Sequence, residues 1–191
     1  MESSTRLKEQ LRVDLRSRLK SLPVSPEVQR HLIQNLKLLF KDLKAYSTLK
    51  GGFYPSPMEP PITPLFQDPD SRPWAFPFID KNQLKYRFME GDFDDNQQWE
   101  KVKGVFQLKY GRWVNPNEMH LLLIPGVGFD RSGARLGRGQ GYFDQFLAGY
   151  SGYRIGVAFE CQLVDELPQE AWDQNIHFLV TEKDIHRFKG V

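Results

Sequence analysis

Leu7, Leu11, Leu15 and Leu19 recur every fourth residue among basic and polar neighbours. That period predicts an amphipathic helix over residues 6–22 with a single apolar stripe. Pro23 ends it, because proline cannot donate to the helical ladder and its ring clashes with the preceding turn. Ser25-Pro26-Glu27 then opens a second helix: serine caps a free N–H, proline presets the first turn, and the acid complements the positive end of the helix. Val28, Leu32, Leu36, Leu39, Phe40 and Leu43 line its inner face. From Gly51 the texture changes. Prolines at 55, 57, 60, 61, 64, 69, 73 and 77 exclude a regular helix and leave room for short strands only, at Phe53-Tyr54 and at residues 74–78. Short aromatic pieces at 86–89 and 105–108 alternate with acidic, loop-like text at 90–96.

The last third reads as alternating strand and crossover. Leu121-Leu122-Leu123-Ile124 is a continuous apolar run closed by Pro125-Gly126, as expected of a strand covered on both faces. A helix is expected over residues 142–148, stopping near Gly149, and two further buried strands at 154–159 and 177–181. Strand, crossover and strand in this order predict an α/β architecture with a largely parallel sheet, and a ligand crevice beyond the carboxyl ends of its strands.

Composition narrows the picture. At about 100–200 residues per domain, 191 residues predict one domain spanning 1–191. Forty per cent apolar and 13% aromatic residues exclude global disorder. Twenty-six Lys and Arg against 24 Asp and Glu leave a net charge of +2, so an anion site has to be local and nothing demands a polyanionic partner. Cys161 is the sole cysteine, which excludes an intramolecular disulfide and suits a cytoplasmic protein. No apolar run approaches the ~20 residues that span a bilayer, so a soluble protein without membrane association is expected. His31, His120, His177 and His186 are scattered, and none is assigned to a metal. Trp99, Trp113 and Trp172 are read as core or pocket wall.

Candidate chemistry concentrates in PGVGFDRSGARLGRGQGYFDQF, which packs six glycines and three arginines between a buried strand and a helix. In Gly137-Arg138-Gly139-Gln140-Gly141, side-chain-free positions at every second residue let backbone N–H groups approach an anion and make positive φ available. The helix starting at Tyr142 turns its positive end toward the same place. Arg135 and Arg138 add guanidinium groups suited to phosphate oxygens. The segment has neither the GK[ST] of a Walker A loop nor the spacing of GxGxxG. Asp144, just inside the helix, is placed to share Mg²⁺ with a bound phosphate, with Asp173 or Asp130 as the second acid. A nucleic-acid-binding role for Arg135, Arg138 and the basic first helix is the alternative from a different class.

The run LLLIPGVGFDRSGARLGRGQGYFDQFL closely resembles the signature of the 5-formyltetrahydrofolate cyclo-ligase family. The resemblance extends to Lys8 and Arg12 in KEQLR, to Tyr54 and Glu59, and to LPQEAWDQNIHFLVTE. It implies ATP- and Mg²⁺-dependent closure of 5-formyltetrahydrofolate, with or without a polyglutamate tail, to 5,10-methenyltetrahydrofolate, by a monomer that binds no nucleic acid. It implies a three-layer α/β/α sandwich like ribose-5-phosphate isomerase and CoA transferases. It gives Lys8, Arg12 and the loop Arg135, Leu136, Gly137, Arg138, Gly139, Gln140, Gly141 and Tyr142 to the nucleotide. Tyr54, Glu59, Tyr142 and Phe143 fall to the folate, Asp144 and Asp173 to Mg²⁺, and catalysis to Arg138, Gln140 and Tyr142. Departures are Gln140 where many members carry lysine, Phe143 in place of a second tyrosine, and Gln107-Leu108 where Glu-Pro is usual. In addition, His120 replaces an acid, and the Glu59 to Thr63 spacing is one residue longer than the common pattern. A folate- or nucleotide-binding relative with weakened turnover is the alternative within the family.

Overall fold

The computed structural model describes residues 4–80, 85–94, 98–102 and 105–188; the tail of the acidic stretch, residues 95–96, lies outside them. Helices α1 (Ser4–Lys20) and α2 (Pro26–Asp42) come first, then β1 (Lys50–Gly51), α3 (Thr63–Gln67), β2 (Trp74–Asp80) and β3 (Lys85–Glu90). A hairpin of β4 (Trp99–Val102) and β5 (Val105–Leu108) precedes β6 (Arg112–Val114), β7 (Leu121–Pro125), β8 (Gly128–Asp130) and β9 (Arg135–Leu136). The chain ends with α4 (Tyr142–Leu147), β10 (Tyr153–Val157), β11 (Leu163–Val164), β12 (Phe178–Val180) and β13 (Ile185–Arg187). The eight-stranded sheet runs β13-β12-β10-β7-β1-β2-β3-β6. β12, β10, β7, β1 and β2 are mutually parallel, and the outer strands β13, β3 and β6 pair antiparallel.

Strand alternation divides the core into two layers. Leu121, Leu123, Ile155 and Val157 face α2 and α3, packing on Leu32, Leu36, Phe40 and Phe66. Leu122, Ile124 and Leu179 face α4, packing on Leu147 and Phe146. The outcome is an α/β/α sandwich with a mostly parallel centre. Ser25 caps α2 as expected, its Oγ accepting from Val28 N at 3.3 Å. No helix among the described residues is long and apolar enough to cross a membrane.

Four expectations are corrected. The proline-rich stretch does hold a short helix, α3, because Pro64 falls in its first turn, where no N–H is needed for the ladder. In α1 Lys8 and Leu15 are buried, Leu11, Arg12 and Leu19 are half-buried and Leu7 is exposed, so the leucine stripe faces inward from Leu11 onward and shares that face with Lys8 and Arg12. The helix turns charge toward the carboxyl ends of the strands, and Leu11 and Leu15 pack on Val127, Ala134 and Leu136 beside the small β11-β8-β9 sheet. The strand expected at Phe53-Tyr54 is instead Lys50–Gly51, paired to Trp74-Ala75 on one side and Leu121-Leu122 on the other. A fully buried lysine hides this strand from any apolar pattern. Lys50 Nζ donates to the carbonyls of Ala45, Tyr46 and Thr48 at 3.0, 2.9 and 2.7 Å, and burial lowers its pKa to about 8. Finally, Trp172 and Trp113 are exposed, leaving Trp99 alone of the three packed against the core.

Candidate active site

A cavity opens at the carboxyl ends of β1 and β7, beside Pro77 of β2. One wall is aromatic. Phe53 and Tyr54 leave β1, and the Tyr54 ring meets Phe106, Trp99 and Phe93 with centroids 4.5, 5.0 and 5.4 Å away. On the α4 side Tyr86 packs on Tyr142 and Phe143 at 5.4 and 4.9 Å. Burial raises the Tyr86 pKa to about 12, with Arg138 lowering it and Glu59 raising it, so this phenol stays protonated at neutral pH.

The facing wall is the segment from Arg135 to Asp144. Arg135 has a side chain only 3% exposed; it donates to Asp144 Oδ1 at 2.7 Å and to the Pro125 carbonyl at 3.3 Å. Gly137 leaves room for this guanidinium, since a Cβ there would lie 3.0 Å from it. Arg138 reaches across the mouth to Glu59 Oε1 at 2.5 Å and Ser56 Oγ at 2.7 Å, while Ser56 N donates to Glu59 Oε2. Arg12 Nε bonds the Gly137 carbonyl at 2.9 Å. Lys8 Nζ sits 2.6 Å from Asp173 and 2.8 Å from Glu170. Burial opposes its charge, but bonding and attraction from these two carboxylates prevail and raise the Lys8 pKa.

Between these groups the loop is held open by glycine. Gly139 has φ +99° and Gly141 φ +69°, a region L side chains rarely adopt. No backbone N–H from Gly137 to Gly141 donates to another described residue, so this run of amides is free for a ligand. α4 is six residues long, shorter than expected, and its dipole is correspondingly small.

Sequence-predicted residues are only partly brought together. Glu59, Arg135, Gly137, Arg138, Gln140 and Gly141 line one cavity with Tyr54, Tyr142, Phe143 and Asp144. Lys8, Arg12 and Gly139 are outside that lining; a Cβ on Gly139 would lie 3.6 Å from the Arg12 guanidinium, and Leu136 is buried. Asp144 and Asp173 belong to separate ion pairs, and no group of three His, Cys, Asp or Glu among the described residues is placed to hold a metal. Asp144 still suits Mg²⁺, which takes one or two carboxylates and completes its shell with phosphate and water: its Oδ2 has no described donor and it borders the cavity. Asp130, the other candidate second acid, is a loop anchor. It is 1% exposed and accepts from Ser132 N, Ser132 Oγ, Ala134 N and Leu167 N.

Tyr86, Phe106 and Ser56 also line the cavity and escaped the sequence reading. Tyr86 carried a readable signal: alternation in KYRFME sets it on the same strand face as Phe88, the face that α4 covers.

A model described as the 5-formyltetrahydrofolate cyclo-ligase family matches residues 82–182. Similar curated proteins include the 5-formyltetrahydrofolate cyclo-ligases of Escherichia coli K12, 38% identical over 72 residues, and of Haemophilus influenzae, 43% over 60 residues. These alignments cover 36% and 30% of this chain and 40% and 32% of the relatives, well under two thirds of their length. Over nearly the whole chain, the fold matches the NMR structure of Aquifex aeolicus 5,10-methenyltetrahydrofolate synthetase. The TM-score is 0.82 at 28% identity, covering 97% of this chain and 94% of the other. The Mycoplasma pneumoniae synthetase, 20% identical with a TM-score of 0.72 and covering 92% of this chain and 98% of its own, shares the fold.

Proposed function

Since the chain belongs to the 5-formyltetrahydrofolate cyclo-ligase family, we propose that it closes 5-formyltetrahydrofolate to 5,10-methenyltetrahydrofolate at the expense of ATP. The formyl oxygen is a poor leaving group, so the terminal phosphoryl group of ATP is transferred to it. N10 of the folate then attacks the activated carbon, the five-membered ring closes, and phosphate departs as N10 loses its proton. Catalysis here is positioning and charge stabilisation, which needs no nucleophilic side chain.

The observation that carries this reading is the run of unpartnered amides from Gly137 to Gly141 facing an aromatic slot across one cavity. The amides take phosphate oxygens. Arg138 exchanges Glu59 for the transferring phosphoryl group, and Glu59, so released, accepts N–H donors of the pterin. Tyr54 and Phe143 supply faces for the ring, Tyr86 and Tyr142 a hydroxyl each. Gln140, on the cavity wall, offers an amide donor in place of a charge. Lys8 and Arg12 support the phosphates from outside the cavity lining.

Mg²⁺ would neutralise charge on the phosphates during transfer. Asp144 would hold it, with Asp173 as the second carboxylate. Purified protein given 5-formyltetrahydrofolate and MgATP is expected to develop the methenyl absorbance. Folded protein that produces none with the natural stereoisomer would overturn the assignment. Tight binding of both ligands without product would select the weakened relative instead.

A further inference from the structure

Ser56, Glu59 and Arg138 bridge the mouth of the cavity as a three-membered latch. Arg138 meets both partners through one nitrogen: Nη2 lies 2.5 Å from Glu59 Oε1 and 2.7 Å from Ser56 Oγ. Ser56 N donates to the other carboxylate oxygen at 2.7 Å, and Glu59 N donates to the Ser56 carbonyl at 2.9 Å. Serine and glutamate are thereby tied into one turn, between Pro55 and Pro60 and with Pro57 inside it, where fixed φ angles stiffen the chain. Arginine is tied less firmly. Its side chain is 48% exposed against 9% for Glu59, and its hydrogen bonds among the described residues are those two. Arg138 is the movable member and Glu59 the fixed one.

We propose that Ser56 is a positioning residue that holds this latch shut in the empty protein, so that whichever substrate binds first opens it and prepares the site for the other. The inference rests on the ATP-dependent reading above and adds to it a coupling between the two substrates whose size Ser56 sets. In that reading phosphate claims Arg138 and the pterin claims Glu59, so neither contact forms while the two residues hold each other. Phosphate that draws Arg138 away leaves a carboxylate nine-tenths buried with Ser56 N alone for a partner, and a buried anion short of partners attracts N–H donors. A pterin on Glu59 conversely frees the guanidinium for phosphate. The first ligand therefore binds with an affinity reduced by the fraction of molecules whose latch is open, and the second binds at full strength. Linkage makes the factor the same in either order.

Calorimetry with 5-formyltetrahydrofolate and with the Mg²⁺ complex of β,γ-imido-ATP, which does not pass on its terminal phosphoryl group, reads the coupling directly. In the wild type each ligand should tighten the other about tenfold. Ser56→Ala removes one of the two acceptors of Arg138 and keeps the backbone bond to Glu59. It should tighten either ligand alone about threefold, leave each affinity unchanged once the other ligand is bound, and so shrink the coupling by the same factor. Glu59→Gln removes the charge that holds Arg138, and should tighten the nucleotide analogue alone while weakening the folate. A serine that only shaped its loop, or that touched a ligand, would weaken binding when replaced. Weaker or unchanged affinities for the single ligands in Ser56→Ala, or independent binding of the two ligands to the wild type, would overturn the proposal and leave the cyclo-ligase reading standing. Wild-type protein that neither turns over nor binds either ligand would instead remove that reading, and this proposal with it.

Discussion

The two walls of the main cavity are supplied by the chain in opposite ways. The glycine-arginine wall is contiguous, residues 135–144 from β9 into α4, and each part depends on its sequence neighbours: Gly137 makes room for Arg135, Arg135 holds Asp144, and positive φ at Gly139 and Gly141 sets the loop. The aromatic wall is assembled from Phe53 and Tyr54 after β1, Tyr86 on β3 and Phe106 on β5, three segments far apart in sequence, with Tyr54 packed on Phe106. A contiguous wall fails as a unit. A distributed one loses affinity ring by ring.

The largest effect is expected at Gly139. Valine there is forced into φ +99°, a strain of about 1–3 kcal/mol for a non-glycine residue, which reshapes the loop. Nucleotide binding by calorimetry should fall about 10- to 100-fold while the circular dichroism spectrum stays that of the parent. Asp144→Asn comes next. It removes the charge paired with the buried Arg135 and should raise the Mg²⁺ concentration for half-maximal rate about tenfold, with a lower Tm because a buried guanidinium loses its counter-charge. Tyr54→Leu should act on one substrate only. Loss of a ring contact worth about 0.5–1.5 kcal/mol raises the folate KM several-fold and leaves that for MgATP unchanged. If Tyr54→Leu abolished nucleotide binding, or Gly139→Val spared it, the contrast between the walls would be broken.

The smallest effect lies outside both walls and serves as their control. Lys50 has a folded pKa lowered to about 8 against about 10.4 unfolded. Between those values the unfolded chain holds a proton that the folded one has released, so stability should rise with pH across that window. Denaturation at stepped pH, wild type against Lys50→Met, should show the slope in the wild type alone. The kinetic constants of neither wall depend on it.

Legibility followed the same division. The glycine-arginine loop could be picked out because its glycines and arginines are adjacent in sequence, and β7, β10 and β12 because strands covered on both faces are apolar throughout. β1 was misplaced by a few residues because its first member is a buried lysine satisfied by carbonyls two to five positions earlier, a partnership no periodicity reports. The α1 stripe was incomplete for a related reason: its leucines outweighed Lys8 and Arg12 in an apolar count, yet carboxylates and a carbonyl brought in by distant segments draw those two charges onto the inward face as well. Asp130 shows the reverse hazard. An acid in the right stretch of sequence spends itself on local and distant amides, and only its hydrogen bonds tell it from Asp144.

β1 is two residues long, whereas β2 continues from Ala75, opposite Gly51, to Asp80, and β7 from Leu122 to Pro125. The sheet therefore carries a notch one strand wide, with its flanks about 10 Å apart given the usual strand spacing. A notch exposes backbone donors that a missing strand would have satisfied, and the chain disposes of them. Ala75 O accepts from Gly52 N, which sets residues 75, 77 and 79 along the notch side of β2. At 77 proline has no hydrogen to offer, and at 79 the amide is taken by the side chain of Gln107 at 3.0 Å. Gln107 is thus a surrogate rung for the absent strand, and its replacement by leucine should close or distort the slot without touching any residue that meets a ligand.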